Sequence, residues 1–122
     1  MPMRAALRAA VIAAALLDAV TAYAHAHLDR ASPAAGATVA TAPTEVALHF
    51  TESLEPRFSA ILVRDAAGTQ IDKGNSSVDE KDRALLKVSL PPLAPGTYKV
   101  EWRVISVDTH SSKGDYTFRV GR

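Results

Sequence analysis

The sequence predicts an all-β domain, an antiparallel two-sheet sandwich, and three observations predict it. Apolar and polar residues alternate with period two in several runs, turn-forming residues separate those runs at fairly regular intervals, and no long helix-period segment follows residue 24.

The first alternating run turns Val46, Leu48 and Phe50 one way and Ala47, His49 and Thr51 the other, the pattern of a strand buried on one face. Ser59 to Arg64 and Leu85 to Leu90 are shorter strand candidates with β-branched or aliphatic cores. Tyr98, Val100, Trp102 and Val104 then alternate with Lys99, Glu101 and Arg103, and Tyr116, Phe118 and Val120 repeat the pattern. Between the runs stand Ser32 to Gly36, Ala67-Gly68, Lys73-Gly74-Asn75, Pro91-Pro92 and Pro95-Gly96, residue types that favour chain reversal. Glu52 to Arg57 amounts to a short turn, and the polar, mixed-charge Asp72 to Arg83 reads as a surface loop without chemistry. About seven short strands in about a hundred residues make a seven-stranded antiparallel Greek-key β-sandwich of immunoglobulin-like type. Trp102 is expected near the core centre with Phe50, Tyr98 and Phe118, each such burial contributing about 1.5–3 kcal/mol. A ligand-stacking platform is the alternative role for these aromatics.

Ahead of this domain lies a basic stretch with Arg4 and Arg8, an Ala-rich apolar run from Ala9 to Val20, and then Ala22-Tyr23-Ala24. That is the layout of a secretory signal peptide with an A-x-A cleavage site. The apolar run carries Asp18 and falls short of the roughly 20 residues that span a bilayer. Residues 1–24 are therefore expected to be removed, leaving His25 to Arg122 as one domain that is not membrane-embedded. An uncleaved anchor is the alternative, as is cleavage after Ala26, which would make His27 the first residue.

Loss of Arg4, Arg8 and Asp18 with the leader leaves basic and acidic residues equal in number and interspersed, so nucleic acid and anionic membranes are not expected partners. The chain has no Cys, and its only Met residues are Met1 and Met3. The processed domain thus has no disulfide and no sulfur ligand, and any metal it holds must accept nitrogen and oxygen.

Cleavage after Ala24 would place the α-amine on His25, where amine and imidazole Nδ1 can close one chelate ring. An amine with an ordinary pKa of about 8 deprotonates readily against Cu(II). Asp108 and His110 stand two residues apart after a strand, and in extended backbone such residues project to the same side. Together the three residues offer three nitrogens and one oxygen, the tetragonal set that suits Cu(II). A D-x-H pair is more often a surface hydrogen-bonded pair than a metal site. His25-Ala26-His27 also forms an amino-terminal X-X-His motif, whose copper would take two backbone amides and His27. His49 lies on the polar face of its strand and reads as structural.

The processed sequence resembles the CopC family of periplasmic copper-binding proteins over nearly its whole length. The resemblance rests on His25-Ala26-His27-Leu28, Ser32-Pro33-Ala34 with Gly36, Leu48-His49-Phe50-Thr51-Glu52, and Phe58-Ser59. It closes with Pro95-Gly96-Thr97-Tyr98, Trp102-Arg103-Val104 and Ser106-Val107-Asp108-Thr109-His110. The family implies a seven-stranded barrel or sandwich, a periplasmic location, and one Cu(II) held by His25, Asp108 and His110. It also puts Glu52 where a carboxylate stands close to that site, as a hydrogen-bond partner or an ordinary surface group. Some members hold Cu(I) in a Met-rich loop, and this chain has no Met there. The resemblance therefore implies a Cu(II)-only member.

The expected function is buffering, sequestering or delivering Cu(II) in copper homeostasis or resistance, without catalysis. A membrane copper transporter that cooperates with the chain would be a separate protein, since no spanning segment follows the leader. The alternatives are a histidine-brace copper redox enzyme and a metal-free sandwich interaction module. Asp108 in the fourth equatorial position argues against the enzyme, because it fills the place where oxygen would bind.

Overall fold

The computed structural model describes residues 26–121. The leader, His25 and Arg122 lie outside them. Among the described residues no helix is long and apolar enough to cross a membrane.

Eight strands make two four-stranded sheets. They are β1 (Leu28–Ser32), β2 (Thr38–Val39), β3 (Glu45–Phe50), β4 (Ala60–Arg64), β5 (Ser77–Val78), β6 (Leu85–Ser89), β7 (Gly96–Ile105) and β8 (Ser111–Val120). One sheet runs in the order β1-β3-β6-β5 and the other β2-β8-β7-β4. Their facing surfaces close on Val46, Leu48 and Phe50 of β3, Leu86 and Val88 of β6, Ile61 and Val63 of β4, and Val100, Val104 and Phe118 of β7 and β8, all buried. The alternating residues of each strand thus meet in one core, as period-two patterning requires.

The sandwich expected from the sequence is the one observed, with eight strands in place of seven, β1 at a segment that no alternating run marks, and further differences of detail. The extra pieces β2 and β5 are two residues each, and β2 pairs with β8 in parallel. Segments this short leave no periodic signal. β5 lies inside the stretch read as a surface loop, where Asp72 and Asp79 organise the turns. Asp72 accepts hydrogen bonds from Val63 N at 2.7 Å and Gly74 N at 2.8 Å, and Asp79 accepts from Asp82 N and Lys81 N.

β8 begins at Ser111, well before the aromatic run at Tyr116 that announces it. Ser111 to Asp115 are poor strand formers, and ten consecutive residue pairs with β7 hold them in register. Trp102 departs furthest from expectation, since it is only partly buried and packs against the core rather than at its centre. Its indole lies across Gly114, where an added Cβ would stand 2.3 Å from Trp102 Cζ2. From there it meets Phe50 edge-on at 6.1 Å and Tyr116 at 6.3 Å. The missing side chain at Gly114 is what leaves room for the indole to lie across β8.

Tyr98 and Phe118 stack at 5.6 Å within the core. Tyr116 tethers the loop after β1 by donating to Pro33 O at 2.8 Å. Burial pushes its phenol up to about 12.

Candidate metal centre

Asp108 and His110 occupy the connection between β7 and β8 at one end of the sandwich. Ile105 pairs with Ser111 across its mouth, Ser106 N donates to His110 O at 2.9 Å, and Thr109 N donates to Ser106 O at 2.8 Å. Thr109 sits at φ 74°, a left-handed conformation that costs a β-branched residue on the order of 1–3 kcal/mol. A tight turn, not extended backbone, therefore brings the two side chains to one side, which corrects the geometry expected from their spacing. Asp108 Oδ1 lies 3.3 Å from His110 Nδ1. Two donors at right angles about an ion, each about 2.0 Å from it, stand about 2.8 Å apart, so the pair needs only a small adjustment to share one ion.

Beneath the turn, Ser106 is fully buried. Its hydroxyl donates to Asp108 Oδ1 and also lies 3.2 Å from His110 O. That hydroxyl first, and then His110, hold the Asp108 carboxyl below its ordinary value. Asp108 is thereby kept as a carboxylate, the form that ligates a cation.

The amino-terminal end of the described chain arrives at the same place. Ala26 is buried, and Ser112 Oγ donates to its carbonyl at 2.7 Å. His27 is fixed to Thr51 by a reciprocal pair, His27 N to Thr51 Oγ1 at 2.9 Å and Thr51 N to His27 O at 2.9 Å. Ser53 O accepts from Val107 N at 3.0 Å. Glu52, partly buried, falls between Thr51 and Ser53 and so between the amino-terminal segment and the 106–110 turn.

Three segments distant in sequence, 26–27, 51–54 and 106–112, thus converge. His25 lies outside the described residues, but it is joined to Ala26, and consecutive Cα atoms are about 3.8 Å apart. Among the described residues no group of three or more His, Asp or Glu is arranged to hold a metal ion. A complete set at this turn therefore needs donors beyond those the described residues bring together.

A second histidine with carboxylate neighbours lies on the outer face of the β1-β3-β6-β5 sheet. His49 Nε2 is 3.1 Å from Asp82 Oδ2, while Nδ1 is 3.6 Å from Asp29 Oδ2 and has no hydrogen-bond partner. The residues that sequence reasoning missed are the three hydroxyls of Thr51, Ser106 and Ser112. Only Ser106 carried a local signal, its two-residue spacing to Asp108, which suits a side-chain hydrogen bond within a turn. The other two act across more than twenty residues of separation.

The model of the CopC domain family matches residues 28–121. The chain is 42% identical over 99 residues to protein YobA of Escherichia coli strain K12, covering 80% of each. To copper resistance protein C of Pseudomonas syringae pv. tomato it is 36% identical over 118 residues, covering 90% of this chain and 91% of that one. The crystal structure of CopC from Methylosinus trichosporium OB3b superposes with a TM-score of 0.75 at 35% identity, covering 80% of this chain and 94% of the other.

Proposed function

The chain belongs to the CopC domain family, and on that premise we propose that it is an exported, periplasmic protein that binds one Cu(II) and buffers, sequesters or delivers it. It is a copper-handling protein, not an enzyme. The ligands in this reading are the amine and imidazole of His25, a carboxylate oxygen of Asp108 and an imidazole nitrogen of His110. Glu52 is the nearby carboxylate that steadies a ligand by hydrogen bonding.

The observation that carries the reading is the 2.7 Å bond from Ser112 Oγ to Ala26 O. It anchors the residue next to His25 against a strand position two residues from His110. The N and O donor set, in a domain without sulfur once the leader is gone, suits Cu(II) and not Cu(I). The amino-terminal X-X-His alternative needs His27 to give up its amide proton. That amide is engaged with Thr51, and releasing it would sacrifice a bond worth roughly 0.5–1.5 kcal/mol.

The test compares Cu(II) affinity of the chain beginning at His25 with that of a chain carrying one extra residue ahead of it. The extension removes the chelate between amine and imidazole, so affinity should fall by about two orders of magnitude or more. Equal affinity would contradict the reading.

A further inference from the structure

Beside the turn, an open cleft of about 650 Å³ runs along the outer face of β7 and β8 under the 3-10 turn Pro56–Phe58. Its walls include Arg57, Arg103 and Lys113, and no acidic residue among the described residues lines it. All three cations are exposed, and none takes part in an ion pair among the described residues. Arg103 and Lys113 are direct cross-strand partners. Like charges so placed repel, which the fold alone gives no reason to accept.

On the same face the acidic pair Glu101 and Asp115 stands two positions along, but Glu101 is already engaged by Arg64 at 3.4 Å and Lys99 at 3.8 Å, and Asp115 makes no ion pair among the described residues. Phe58 on the cleft wall is 59% exposed and Val107 in the metal-site turn is 56% exposed, the two large hydrophobic side chains left to solvent among the described residues. Their segments are joined by Glu55 N to Ile105 O at 2.8 Å and Val107 N to Ser53 O at 3.0 Å. Ser112, which lines the cleft, also holds Ala26 beside the metal-site turn.

We propose that this cleft is the docking surface for an acidic, apolar-tipped segment of a protein that exchanges copper with the Asp108–His110 turn. The proposal rests on the copper reading above and adds the partner's chemistry. Carboxylates of the segment would pair with Arg57, Arg103 and Lys113, relieving the repulsion between the last two, while an apolar side chain covers Phe58. Docking there sets the incoming donor groups beside Ser112 and the turn. A concave site suits a protruding peptide segment better than a flat anionic membrane.

The test uses copper-free protein beginning at His25 and a synthetic peptide of alternating Glu and Leu ending in Phe, followed by amide chemical shifts. Saturable shifts at Phe58, Arg103 and Lys113 are expected, with affinity that falls as salt is added. The double variant Arg103→Ser, Lys113→Ser should weaken peptide binding about tenfold, while its Cu(II) affinity stays at the wild-type value. No saturable binding would overturn the proposal, as would an unaffected double variant. Equal binding of a Lys-for-Glu peptide would overturn it too, and so would preferential binding to vesicles of anionic lipid. Because the protein is copper-free, a failed metal centre shows in the copper titration alone and a failed docking surface in the peptide titration alone.

Discussion

His49 and His110 each stand beside aspartate, but the two neighbourhoods differ in where their donors point. At His49 the carboxylates of Asp29 and Asp82 approach opposite ring nitrogens, at 3.6 and 3.1 Å. One ion cannot be shared by groups on opposite sides of an imidazole. At His110 the carboxylate comes from two residues away on the same turn, at 3.3 Å, and the segment carrying residue 26 arrives beside it from another strand. Proximity of histidine and carboxylate is common to both, and convergence on one point belongs to the second. His49 links β3 to the loop before β6 as a structural tie, whereas the His110 turn is open, with both side chains about half exposed.

The difference can be tested from its strongest consequence to its weakest. His110→Ala and Asp108→Ala should each lower Cu(II) affinity by more than the roughly 10–100-fold typical of groups that only orient a ligand, and both should shift the visible absorption of bound copper. Ser112→Ala should fall within that range, since it removes the anchor of Ala26 and no ligand. Titration of copper against each variant ranks them, and a Ser112→Ala loss equal to that of His110→Ala would erase the distinction between ligand and anchor. His49→Gln should leave copper affinity unchanged and lower the unfolding midpoint by a few degrees, as expected for the loss of about 1 kcal/mol. A copper defect in His49→Gln would break the comparison.

Acid adds a further test. The Ser106 hydroxyl holds Asp108 below the ordinary carboxylate value, so the native interactions of that carboxylate are present above its unfolded value and lost only as pH falls through the lower folded one. Copper release on acidification should therefore not be set by Asp108 alone, since binding needs every ligand deprotonated. Ser106→Ala should bring Asp108 back toward the ordinary range without moving the main release step. The pH profile of bound copper in the two proteins checks this.

The sandwich was legible because its principal strands bury one face each, and Val46-Leu48-Phe50 or Tyr98-Val100 state that in period two. β1 was not, because its middle residues Asp29 and Arg30 are exposed on an edge strand that pairing with β3 holds in place. Trp102 was misread because its alternation says only which face it lies on. The room that draws its ring sideways comes from Gly114 on the neighbouring strand. At the candidate site the residue types of Asp108 and His110 could be read, but the means of juxtaposition could not. It depends on a left-handed Thr109, on buried Ser106, and on Ser112 reaching 86 residues back to Ala26.

The most direct measurement is Cu(II) electron paramagnetic resonance on protein with a verified His25 terminus, wild type beside His110→Ala and His27→Ala. A tetragonal signal of three nitrogens and one oxygen that survives loss of His27 and changes with loss of His110 is the predicted result. A signal that depends on His27 and ignores His110 would place copper on the amino-terminal peptide alone and contradict the folded site.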